Sequence, residues 1–316
     1  MTQSAPTKLA ITATPTPLTP IAQAHHFTRL DIALIFAMAL WGGNFVVSKA
    51  ATEVLPPLAY NAIRFSIASL SMLPFMLILK IDLRMPRSIW RAVLFNSFIG
   101  HVLYQPFFIN SIKLTTASNA VLIITAGPIW VVLFNAFRGQ EQITKKAVGG
   151  VFLALIGVVT VIVGRYGGQV GLGGSTATGD LLMVIASVLW AIAIITSREP
   201  LAKINATVCT FWLTTLAAGS QLILGFPSLV TMDWSAITPL VILGLVYSGA
   251  VSVVLGSLVF NYAINKIGTA RTSVYTYVQP VVAATLAVLF LGERFTPILL
   301  LGAFLIFVGV ALVRRT

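Results

Sequence analysis

From Asp31 onward the chain is a series of apolar runs, each roughly twenty residues long, with only a few polar residues between most of them. Wound as a helix, a run of that length crosses about 30 Å of hydrocarbon. A soluble domain carries about 25% charged residues, whereas this chain of 316 residues has 9%, with 58% hydrophobic. The fold class expected is therefore an all-α polytopic membrane protein. Helices are expected near 30–50, 57–79, 90–112, 117–137, 147–164, 179–197, 207–226, 237–263, 270–291 and 297–313.

The flanking segments divide the chain. Residues 1–28 are rich in Thr and Pro and lack the apolar stretch of a signal peptide, so they read as a disordered cytoplasmic tail. Residues 29–164 and 179–316 each hold five runs, joined by the glycine-rich linker 165–178, which is expected outside the cytoplasm. The formal charge of +12 would point to nucleic acid in a soluble protein; here it reads as basic loops on one membrane face. Of the 20 Lys and Arg residues, Lys49, Lys113, Arg165 and Arg294 fall on one side and Arg64 within a helix. All the rest fall on the other side, which places both termini in the cytoplasm of a bacterial inner membrane. The single cysteine, Cys209, forms no internal disulfide.

The two halves repeat. "TAGPIWVVLFNAFRGQEQIT" in the first resembles "YVQPVVAATLAVLFLGERFT" in the second, and Pro128, Glu141, Gly150 and Gly157 match Pro280, Glu293, Gly302 and Gly309 at a constant offset of 152 (280−128). Upstream, "LWGGNFVVSK" from Leu40 aligns with "LWAIAIITSR" from Leu189 at an offset of 149 (189−40). Five is odd, so a second copy enters the membrane from the opposite side. Inverted repeats of this kind characterise secondary transporters, whose substrate binds near the midplane.

These residues carry a resemblance. "LWGGNFVVSK" (40–49), "RF" (64–65), "GP" with "RGQEQIT" (127–144), and "LGERFT" with "LLGAFLIFVGVAL" (291–312) resemble the drug/metabolite transporter superfamily, EamA type, over about residues 30–313. The first copy departs from the fuller pattern in reading "GQEQIT" for "GERFT". The resemblance implies ten helices in inverted five-helix repeats and export of small metabolites, and is similar to the YddG-like amino-acid exporters. Other members carry drugs, nucleotide sugars or sugar phosphates, so export of another metabolite or a drug stays open as the alternative, as does a channel.

The candidate substrate residues are polar or aromatic groups inside apolar runs. Trp41 and Asn44, three residues apart, share a helical face. Gly42 and Gly43 beside them permit close approach of a helix or of substrate. Arg64 costs roughly 2.5–3.5 kcal/mol in hydrocarbon, so it must face protein or water; it either binds a substrate carboxylate or serves structure and gating, the role that its presence across the family's varied cargoes favours. His101, Tyr104 and Gln105 form one expected stripe, and Tyr275 with Gln279 a second. Trp190 occupies the repeat position of Trp41, and Tyr60 and Tyr247 complete the set. Pro128 and Pro280, each near the middle of its run, are the expected hinge pair, leaving the carbonyls of Ile124 and Thr276 outside the helix ladder.

All eight acids map to helix ends or loops, which disfavours an antiporter built on a mid-membrane carboxylate. His101 is then the obvious group there that titrates near neutrality. No HExxH or GxSxG pattern supports an intramembrane enzyme. The expected partners are a small-molecule substrate and the lipid bilayer, with no nucleic acid, cofactor or metal, and with oligomeric state open, a monomer included.

Overall fold

The computed structural model describes residues 28–137, 145–164, 175–294 and 296–314. Among these residues all regular structure is helical. The first element, α1 (Arg29–Val54), starts where the Asp31 carboxylate accepts from the Thr28 amide and hydroxyl, and stops where Leu55 turns extended before Pro56. Pro57 then opens α2 (Pro57–Ile78) from the first helical position, where a missing N–H costs nothing.

The third span joins α3 (Arg87–Ser97), a π-helical segment Phe98–Leu103 and α4 (Tyr104–Leu114). The fourth is broken: α5 (Ala117–Thr125) ends at a turn on Ala126 before α6 (Gly127–Phe137). After α7 (Lys145–Gly164) come α8 (Ser175–Lys203) and α9 (Ala206–Thr231), the latter capped by the Asn205 side chain, which accepts from the Thr207 amide at 2.8 Å. The next span joins α10 (Pro239–Val246), a longer π-helical segment Tyr247–Leu255 and α11 (Gly256–Thr272). A 3₁₀ stretch, Ser273–Tyr277, leads into α12 (Val278–Leu291), which ends on left-handed Gly292, and α13 (Pro297–Arg314) closes the described chain.

Six helical segments among the described residues are long and apolar enough to cross a membrane, and four further apolar helices are shorter. Leu77, Ile78, Ile223, Phe226, Leu289, Phe290 and Phe304 are each 63–77% exposed, an outer surface that suits lipid and not water. Several helices outrun their apolar runs: α9 ends at Thr231 and α11 at Thr272, where ends near 226 and 263 were expected. α1 continues to Val54 and α8 spans 175–203 where 30–50 and 179–197 were expected, because Lys49–Glu53 at 2.9 Å and Glu199–Lys203 at 2.7 Å support the polar last turns. Ser175–Thr178, expected in the linker, is therefore helical; residues 1–27, 165–174 and Glu141 lie outside the described residues.

The helices pack in pairs: α7 with α13, α2 with α9, α4 with α8, and α1 with α12. α2 and α9 run antiparallel, since Leu58 and Ala62 face Gly225, Asn61 meets Gln221, and the Ser69 and Thr215 hydroxyls lie 3.1 Å apart. α7 and α13 are antiparallel too. A methyl group added to Gly157 would stand 2.8 Å from the Gly302 carbonyl oxygen, and one on Gly309 would stand 2.6 Å from that of Gly150. The end of the bundle where α1 begins is called proximal below, and the opposite end distal.

The prolines sit differently from expectation. Pro128 is the second residue of α6 and Pro280 the third of α12, each just after a break in the helix. A proline in a first helical turn removes a donor that has no partner there, so the break precedes the ring and a mid-helix kink is avoided.

Candidate functional site

The short stretch Leu40–Asn44 docks α1 against two elements. A methyl on Gly42 would lie 2.7 Å from the Gln279 carbonyl oxygen of α12, and one on Gly43 would lie 2.6 Å from the Tyr247 hydroxyl. The glycines therefore admit neighbouring helices. α1 is then laced to the Tyr247–Leu255 segment in both directions: Trp41 Nε1 donates to the Ser252 carbonyl at 3.0 Å, and Tyr247 Oη donates to the Leu40 carbonyl at 2.9 Å. A π-helical segment loosens the regular ladder, so its backbone is open to side-chain donors. The shorter π segment does the same, its His101 carbonyl accepting from Gln221 Nε2 at 2.5 Å.

Behind this contact lies a buried polar cluster centred on Arg64, which is 1% exposed. Its Nε donates to Asn61 Oδ1 at 2.8 Å, one terminal nitrogen donates to Gln105 Oε1 at 2.8 Å, and the other to Ser248 Oγ at 3.3 Å. Ser248 in turn donates to Asn44 Oδ1 at 2.6 Å, while Asn61 Nδ2 donates to Gln221 Oε1 at 3.2 Å. The rings of Phe65, Tyr60 and Phe108 flank the guanidinium at 4.9, 5.4 and 6.0 Å. Every accepting side chain is neutral. Among the described residues no carboxylate forms an ion pair with Arg64, so a positive charge is held in low dielectric by neutral acceptors and aromatic faces.

An aromatic wall adjoins the cluster through Phe108. Tyr104 stands 5.3 Å from both Phe108 and Trp190, Trp190 is 6.0 Å from Trp41, and Trp41 is 5.1 Å from Phe260. The two tryptophans at equivalent repeat positions thus meet edge to face.

The structure brings Trp41, Asn44, Arg64, Tyr104, Gln105, Trp190 and Tyr247 into this one region. Of the expected stripe on the third span, Gln105 accepts from Arg64 and His101 lies 5.9 Å from the Phe65 ring, both on α2, while Tyr104 lies against Trp190 of α8. Tyr60 is wholly buried with its hydroxyl 3.1 Å from Ser48. Gln279 donates to Met38 Sδ at 3.3 Å, and Tyr275 bonds Asp31 toward the proximal end. Asn61, Ser248, Gln221, Phe108 and Phe260 were not anticipated. Asn61, one turn before Arg64 on a helix face, carried a readable signal; Ser248 carried none.

The EamA-like transporter family model matches residues 28–163 and again 177–315. The chain belongs to that family. An uncharacterized transporter of Archaeoglobus fulgidus is 27% identical over 84% of this chain and 91% of its own length. A "probable amino-acid metabolite efflux pump" of Salmonella typhimurium is 26% identical over 89% and 95%, and its Escherichia coli namesake 25% over 88% and 92%. A crystal structure of a protein 22% identical superposes with a TM-score of 0.67, covering 90% of this chain and 98% of the other; this likeness speaks to the fold alone. The family and these relatives are named as transporters or an efflux pump, which marks the protein as an EamA-like membrane transporter.

Proposed function

We propose that this protein is a ten-helix secondary transporter, built from two inverted five-helix repeats, that exports amino acids or close zwitterionic relatives by alternating access. Its setting is a bacterial cytoplasmic membrane with both termini inside. The observation that carries the cargo reading is the buried Arg64, ringed by neutral acceptors and set beside an aromatic wall. A fixed cation with no ion pair among the described residues attracts a carboxylate, and the Trp41–Trp190–Tyr104 wall suits an apolar side chain and an ammonium group. The efflux-pump relatives support the same reading.

Three features support the inverted repeat. The helix pairs α2–α9 and α7–α13, five spans apart, are antiparallel. The two π-helical segments begin 149 residues apart (247−98) and end 152 apart (255−103), so the change of repeat offset falls inside them. The matched prolines follow matched breaks. Discontinuous helices in corresponding positions are a mark of transporter binding sites.

The test is counterflow in proteoliposomes with a panel of radiolabelled amino acids. Saturable exchange of a subset is expected, reduced at least tenfold by Arg64→Gln in folded protein. Non-saturating flux would mean a channel, and no exchange of any amino acid would sink the cargo assignment.

A further inference from the structure

Residues 113–118, the distal connection between α4 and α5, are gripped from three directions. Lys49 Nζ of α1 donates to the Lys113 carbonyl at 2.8 Å. Thr115 Oγ1 donates to Asp180 Oδ1 of α8 at 2.5 Å. The Ala117 and Ser118 amides, first-turn donors that α5 cannot use itself, donate to Glu293 Oε1 at 2.8 Å and Oε2 at 3.3 Å. The fit is tight: a methyl on Gly179 would stand 2.8 Å from the Thr115 nitrogen. Asp180 and Thr115 are 0% and 1% exposed, so this acid near the start of α8 is buried as well as bonded.

The same three residue types recur at the proximal end. Asp31 precedes Asp180 by 149 positions, Arg198 follows Lys49 by 149, and Glu141 precedes Glu293 by 152. There Asp31 bonds the Tyr275 hydroxyl, both half-buried, and Arg198 is exposed.

We infer that Lys49, Asp180 and Glu293 are the distal gate, a three-point clasp on residues 113–118 that holds the distal end shut and must release for cargo to leave there. They act as positioning residues, remote from the Arg64 centre. The inference rests on the alternating-access reading. Charge-assisted bonds from a carboxylate to helix-terminal amides suit a gate because they are strong when dry and exchange readily for water when opened.

Ser111 reports on the gate. It is 0% exposed, one turn inside the clasp, and its hydroxyl has no partner among the described residues. In cells carrying the full chain with Cys209→Ala and Ser111→Cys, a charged, membrane-impermeant methanethiosulfonate reagent is added outside and the labelling rate measured. Slow labelling is expected with the clasp intact, and at least fivefold faster labelling with Glu293→Gln or Asp180→Asn. Glu293→Asp, which retains the charge, should fall between. Unchanged rates in variants that remain monodisperse in detergent would overturn the gate. If Asp180→Asn does not fold, Glu293→Gln alone decides, because Glu293 is half-exposed and in a loop. Amino-acid counterflow is read on the same proteins. Faster labelling without any counterflow would uphold the clasp while removing the cargo reading; normal counterflow with unchanged labelling would do the opposite.

Discussion

Between α7 and α13, two unbroken helices press backbone against backbone at Gly150, Gly157, Gly302 and Gly309. Between α1 and the Tyr247–Leu255 segment, contact is made by side chains donating to backbone carbonyls. Both solve the problem of holding helices together where lipid supplies no hydrophobic drive. The glycine solution has one arrangement, because any shift separates surfaces that fit only face to face. The hydrogen-bonded solution has alternatives, since a carbonyl in a loosened ladder can take another donor or water. The first region has the physics of a scaffold and the second that of moving parts.

Breaking the scaffold should have the largest effect. Gly309→Leu drives a side chain into the Ala154 nitrogen and the Gly150 carbonyl, which a single methyl would already meet at 2.5 and 2.6 Å. Neither backbone atom can yield, so the cost exceeds the roughly 1–3 kcal/mol usual for overpacking. The expected result is loss of the monodisperse species in fluorescence-detected size exclusion. A folded, thermally unchanged variant would show that α7 and α13 do not depend on this contact.

The two proline-marked breaks, outside both regions, should respond in rate. Pro128→Ala and Pro280→Ala restore a donor just after each break, and one regained backbone bond is worth about 1 kcal/mol, or roughly a fivefold bias toward a continuous helix. Flux should fall by about that factor while equilibrium binding of the transported solute stays within a factor of two. Equal losses in both would remove the prolines from switching and leave them a purely local role.

How much of this could be read beforehand depended on whether the signal was local. Hydropathy marked the spans because hydrocarbon thickness acts on each run separately, and the family was legible in short motifs that stand intact. The π-helical segments were not, since one register shift leaves residue composition unchanged. Asn61 was in plain view on the face of Arg64. The grip of Asp180 and Glu293 on residues 115–118 was hidden, because it joins positions 65 and 176 residues apart, and no helical period links them.

The smallest effect, and the sharpest test of the comparison, lies between the two tryptophans. Trp41 and Trp190 hold equivalent repeat positions and touch at 6.0 Å, yet their indole nitrogens differ. That of Trp41 donates to the Ser252 carbonyl, whereas no hydrogen bond from that of Trp190 occurs among the described residues. Phenylalanine at either position keeps an aromatic face and deletes the donor. Trp41→Phe should therefore lower stability by about 1 kcal/mol, the net worth of one hydrogen bond, seen as a drop of a few degrees in thermal unfolding. Trp190→Phe should leave unfolding unchanged, because its donor has no partner to lose among the described residues. If that donor serves the substrate, Trp190→Phe should instead weaken amino-acid binding by roughly fivefold, again about 1 kcal/mol. Unfolding and affinity measured on both variants separate the roles. Should the two substitutions shift both quantities alike, the tryptophans would be interchangeable packing, and the division into anchored and free partners across the repeat would fail.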